Sequence, residues 1–141
     1  RRDRALVALS GLLAKLPKNT ELLCVGFNDR CTFSKKIQPP LGPKNRAQAF
    51  RFARSLIPRG DTLPADCVAS VLQRHPNLDD VFLVTDARAT SRRVGIRQAH
   101  ALAELQSRYG VTLFWVIVDP PSMRALAELL RLTGGRMSVA R

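Results

Sequence analysis

Metal-type cysteine spacing is missing from this chain. Cys24, Cys31 and Cys67 form no CxxC pair and no Cys/His cluster, which argues against a zinc finger or ribbon. Long apolar runs are missing too: the longest, Val111 to Val118, is far too short to span a bilayer. Arg1-Arg2-Asp3-Arg4 leads straight into a helical pattern, so no secretory leader is expected. Aromatics are scarce, with six Phe, one Trp and one Tyr mostly inside strand or helix patterns, which leaves no stacking platform for single-stranded nucleic acid. No GxxxxGK follows a strand, and neither His75 nor His100 has a Ser or Cys nucleophile at a recognisable spacing. Catalysis by a triad or a phosphate loop is therefore not expected. There is no internal repeat and no low-complexity segment.

What is present suits one folded domain. At 141 residues, with 45% hydrophobic and 24% charged residues, the chain should bury a single core. An odd cysteine count without a leader predicts reduced thiols in a cytoplasmic protein, with Cys24 and Cys67 as ordinary core residues. The net charge of +12 predicts a positive potential that attracts nucleic acid, anionic lipid or an acidic protein surface. The basic residues, 18 Arg and 5 Lys, are scattered without a run longer than two, a pattern that a coding bias toward arginine explains equally well.

Periodicity alternates between helix and strand. Leu6, Val7, Leu9, Leu12, Leu13 and Leu16 recur at helical spacing from Asp3 to Leu16, and Pro17 stops that helix. Glu21 to Phe27 reads as a strand covered on both faces, and Cys31 to Ile37 as a short edge strand with its lysines outward. Pro39, Pro40, Gly42 and Pro43 form a stiff connector, after which Asn45 is expected to cap a helix through Leu56. Asp61 or Thr62 is expected to cap the next helix, from Pro64 to about His75.

Asp80 to Asp86 is the clearest buried strand, followed by a loop to Arg93, a helix from about Val94 to Tyr109 and a C-cap at Gly110. Val111 to Val118 is the next central strand, with Trp115 in the core. A helix over Ser122 to Leu132 and a last strand from Met137 to Ala140 complete the series. Such alternation predicts an α/β fold, a mostly parallel sheet flanked by helices.

In an open parallel sheet, ligands bind beyond the carboxyl ends of the strands. Two segments fall there: Arg59-Gly60-Asp61-Thr62, ahead of a helix, and Thr85-Asp86-Ala87-Arg88, after the strongest strand. Together with Glu21 to Asn28 and the closing Leu132-Thr133-Gly134-Gly135, these segments resemble the von Willebrand factor A (vWA) domain family over nearly the whole chain. No single motif among them is specific; their common order carries the likeness.

The resemblance implies a three-layer, doubly wound fold and a metal-ion-dependent adhesion site. There a Thr and an Asp, with an Asp-x-Ser-x-Ser loop after the first strand, hold Mg²⁺ for a partner's carboxylate. Carried over, Thr62 is the hydroxyl ligand and Asp86 the carboxylate. The Asp-x-Ser-x-Ser loop does not occur here, and residue 1 falls about where the family's first helix begins, so its first strand is missing. Two readings stay open: a piece of a longer protein, or a degenerate relative without the metal. Mg²⁺ is expected only if the first motif is supplied elsewhere, since two protein ligands rarely hold it.

Where the family carries Gly after the Asp, this chain has Ala87 and then Arg88, Arg92 and Arg93, with Arg59 and Asp61 on the neighbouring loop. Arginine there favours phosphate or carboxylate over a cation, although a solvated loop explains it equally. The expectation is a non-catalytic module that docks an acidic partner, with no membrane role. One alternative is an RNA-associated domain, as the same domain type accompanies RNA-binding modules in the Ro autoantigen family. The other is a structural domain of a larger assembly.

Overall fold

The computed structural model describes residues 2–27, 30–57, 64–85, 92–118, 131 and 137–140. Helix α1 (Arg2–Lys15) opens the chain, followed by two short strands, β1 (Val25–Phe27) and β2 (Cys31–Phe33). Helices α2 (Pro43–Ser55) and α3 (Pro64–Arg74) come next. Strand β3 (Asp80–Thr85), helix α4 (Arg92–Tyr109), and strands β4 (Thr112–Val118) and β5 (Met137–Ala140) complete the described elements.

The strands form two sheets. β3, β4 and β5 are all parallel, in the order β3-β4-β5, with Phe82 opposite Phe114 and Val116 opposite Ser138. This bears out the expected central strand, since β4 is hydrogen-bonded on both edges. β1 and β2 form a separate antiparallel pair. The strand expected over Glu21 to Phe27 is therefore shorter than its apolar run. Ser34 Oγ accepts the Cys24 N–H at 3.0 Å, and Leu22 makes only an isolated bridge to Ile37. A side-chain hydroxyl ends the ladder where a neighbouring strand would have continued it.

Two buried clusters hold the chain together. In the larger, Ala65, Val68 and Leu72 of α3 meet Leu83 of β3, Leu102 of α4, and Val111 and Leu113. Those helical positions sit three and four residues apart, which puts them on one face of α3. The smaller cluster joins Leu13 of α1, Ala49 of α2, and two residues outside the regular elements, Ile37 and Leu41. Leu41 is fully buried although it follows the cis Pro39-Pro40 bond, and its N–H donates to the Lys18 carbonyl at 2.6 Å. The proline-rich connector is thus pinned to the core by one leucine. α1 lies beside α2 and meets β3 and β4.

Several local expectations need correction. Asn45 does not cap α2. Gly42 is the N-cap residue, with Pro43 in the first turn, and the Asn45 side chain instead donates to the carbonyls of Gln38 and Pro40. Proline suits the first turn because it has no N–H to satisfy there. Val7 is 67% exposed, so it lies off the buried face of α1 that carries Leu13. α4 starts at Arg92, slightly before the apolar pattern indicates, and ends at Tyr109; Gly110 follows, and its φ of +64° suits a residue without Cβ. Gly26 has a packing reason: a Cβ there would stand 2.5 Å from Leu56 Cδ2. The expected helix over Ser122 to Leu132 lies almost wholly outside the described residues.

The largest correction concerns the thiols. Cys67 is buried in α3, as expected for a core residue, but it is bonded to Cys31 of β2, with the Cα atoms 5.4 Å apart. That separation lies well inside the bridging range. Only Cys24 is a free thiol.

Candidate functional site

A parallel register gives β3, β4 and β5 a common carboxyl edge. Thr85, the last residue of β3, is opposite Ile117, and Val118 is opposite Ala140, the last residue of β5. The crossover from β3 leads to α4, whose first turn carries Arg92 and Arg93 and no acidic residue. Arg93 is exposed. A helix N-terminus favours anions, and no acidic side chain in that turn offsets the exposed Arg93.

Of the residues expected at this edge, Arg92 and Arg93 share the first turn of α4. Arg59, Asp61, Thr62, Asp86 and Arg88 lie outside the described residues. Thr62 and Asp86, the two ligands that the resemblance implies for Mg²⁺, are both among these, and two protein ligands alone rarely hold that ion. Among the described residues no group of three His, Cys, Asp or Glu side chains is placed to hold a metal.

Exposed cations continue along two helices. On α4, Arg93, Arg97 and His100 lie on one exposed stripe at spacings of four and three. On α2, Lys44 and Arg51 are exposed, and the first turn again has no acid. Arg46 turns inward and donates from Nη2 to the Leu16 carbonyl at 3.2 Å, bracing α2 against the end of α1.

Between α3 and α4 lies a shallow cleft of about 180 Å³, lined by Ala65, Ala69, Ala101 and Leu105 with Asp66, Glu104 and Arg108. It is smaller than the roughly 300–1,000 Å³ typical of small-molecule sites, and its lining holds no nucleophile. His75 is half-buried beyond α3 and His100 is exposed on α4. Burial pushes the Cys24 thiol up to about 11, against a lowering contribution from the Ser34 hydroxyl, so at neutral pH it is a protonated, weak nucleophile.

Two features here had no signal in the sequence pattern. The Ala65 N–H, in the first turn of α3, donates to Gln98 Oε1 of α4 at 2.8 Å, so a side chain 33 residues away serves as a cap. The Cys31–Cys67 bond likewise joins residues 36 apart. Both depend on where separate elements meet. Among the described residues no helix is long and apolar enough to cross a membrane.

No protein-family model matches this chain, and no curated protein matches it.

Proposed function

We propose that the chain is a non-catalytic interaction module that binds an acidic partner at the carboxyl edge of its parallel sheet. The observation that carries this reading is the pair Arg92 and Arg93 in the first turn of α4, on the crossover that leaves β3. Guanidinium groups at such an edge suit a carboxylate or phosphate, because two parallel N–H donors match two acceptor oxygens. Arg59, Arg88 and Asp61 extend the same site in this reading, with Thr62 and Asp86 as the hydroxyl and carboxylate of an incomplete adhesion-type metal site. Mg²⁺ joins only when another segment supplies the missing oxygen ligands.

The fold proposed with this function is the three-layer, doubly wound arrangement of the vWA family without its first strand. The all-parallel β3-β4-β5 sheet supports it, as does the order of strands and helices. α3 and α4 cover Leu83 and Leu113, while α1 meets β3 and β4. Among the described residues β3 pairs along one edge only, and a first strand would take the other. The proposed unit is one domain over residues 1–141, part of a longer protein.

Titration of an oligoglutamate peptide into the wild-type chain and an Arg92→Gln, Arg93→Gln variant tests the site. A loss of roughly tenfold in affinity is expected, about 1.4 kcal/mol for the two contacts. Equal affinity would defeat the proposal. Calorimetry with Mg²⁺ tests the metal version, which fails if Thr62→Ala, Asp86→Ala gives the same heat as wild type.

RNA association is the second reading, favoured by the exposed cations of α2 and α4 and the +12 charge. Its signature is an affinity for mixed RNA that falls steeply with salt, and a flat salt response would remove it. A cytoplasmic location remains part of the proposal, although two of its three thiols are now paired. In a reducing compartment such a cross-link is transient and redox-sensing. Rapid alkylation of cytoplasmic chains should trap both oxidised and reduced forms; a bond found fully closed would point to an oxidising compartment.

A further inference from the structure

The β1–β2 hairpin touches both buried clusters, but unequally. At its base Leu22, Cys24 and Ile37 pack with Leu13, Leu41 and Ala49. Among the described hairpin residues, Phe27, itself partly buried, is the one that packs against the larger cluster of α3, α4, β3 and β4. Neither hairpin strand pairs with β3, β4 or β5. On the side of α3 the hairpin is held by Phe27, by the Arg74 guanidinium 4.6 Å above the Phe33 ring, and by the Cys31–Cys67 bond. Arg74 is exposed, and a cation–π contact in water is weak. Of the three links the disulfide is the covalent one.

We propose that the Cys31–Cys67 bond is a redox-operated clasp, whose opening frees the β1–β2 hairpin from α3 while the core of α3, α4 and the parallel sheet stays folded. This regulation is independent of the partner-binding reading above. The seven buried residues of the larger cluster all come from outside the hairpin, so releasing it removes only Phe27 from that core's periphery. Cys31 is half-buried and Cys67 is 3% exposed, which leaves Cys31 as the accessible sulfur.

A dithiol reductant supplies the two electrons and two protons. Its thiolate attacks Cys31 Sγ and expels Cys67 Sγ, which takes a proton. The second reductant thiol then attacks the reductant's own sulfur in the mixed disulfide. Cys31 leaves as a thiol, and the reductant departs as a disulfide. Cys24 does not compete, because its buried thiol is protonated and does not exchange readily. The bond can therefore reopen and reclose without scrambling.

Hydrogen exchange followed by mass spectrometry on the full chain, oxidised and then in excess dithiothreitol, tests the clasp. Amides of the hairpin strands, residues 25–27 and 31–33, should exchange roughly 30-fold faster or more on reduction, while β3, β4 and α4 keep their protection. Reoxidation with glutathione disulfide should restore the slow pattern, and Cys31→Ser should reproduce the reduced one. Equal acceleration along the chain would overturn the proposal, as would no acceleration at all. So would a bond that opens only when the whole protein unfolds, or a Cys31→Ser chain that fails to fold.

Discussion

The two halves of this molecule are stabilised by different means. In the half built from α3, β3, α4 and β4, regular elements present matching apolar faces, and seven buried side chains meet in one cluster. In the half built from α1, the hairpin and α2, four buried residues suffice, and two of them, Ile37 and Leu41, come from connecting segments. The first half rests on periodic patterns that bury whole faces. The second is assembled from single anchors: a buried leucine after a proline pair, an arginine bonded to a carbonyl, a hydroxyl that ends a ladder and a disulfide. Periodic burial spreads stability over many residues, whereas anchors concentrate it in a few.

The strongest way to break this contrast is to cut the same side chain from each core. Leu102 and Leu41 are both fully buried. Leu102→Ala should cost about 4 kcal/mol and Leu41→Ala about 2 kcal/mol, because the smaller cluster can collapse around the lost atoms more easily. Urea unfolding followed by circular dichroism measures both. Equal losses would mean that the anchored half is packed as tightly as the periodic one.

Alkaline pH sharpens the comparison at Cys24, which lies in the anchored half. Its folded thiol titrates near 11, above its ordinary value of 9.0. Below pH 9 both folded and unfolded thiols are protonated, and the contribution is fully present. As pH rises from about 9 through 11 the unfolded state ionises first, so this stability is lost, on the order of 3 kcal/mol at most. A Cys24→Ala variant should show a flatter decline over that window in the same unfolding measurement.

A smaller effect belongs to the periodic half. Gly110→Ala places a Cβ at φ of +64°, where there is open space but an unfavourable backbone. The expected loss is about 1 kcal/mol, visible as a lower Tm with an unchanged fold. The smallest effect belongs to the Lys36–Glu21 ion pair, whose side chains are both 45% exposed. Glu21→Gln should change stability by less than about 0.5 kcal/mol.

Legibility followed the same division. Asp80 to Asp86, Val111 to Val118 and the helix ending at Tyr109 were readable because each is long, apolar on a regular period and bounded by turn residues. β3, β4 and α4 lie where those patterns indicate, within two residues. The hairpin was harder to read. The apolar run from Leu22 to Phe27 resembles a buried strand, yet its pairing is decided by Ser34 and by Ile37, whose roles no window of the sequence reveals. Asn45 looked like a cap because it has the right chemistry at nearly the right place, but proline in the first turn starts α2 earlier. At the candidate site, chain order puts Arg92 and Arg93 on the crossover that follows β3, in the first turn of α4, while the other expected site residues lie outside the described ones.

Composition and period alone determined that this chain folds as a mixed α/β unit with central apolar strands and a strongly cationic surface, because hydrophobic period and charge count are local properties of the sequence. Tertiary structure decided which cysteines pair, which glutamine caps α3 and which half shares which core. Those outcomes depend on distances between elements dozens of residues apart, and such distances exist only once the helices have packed on the sheet.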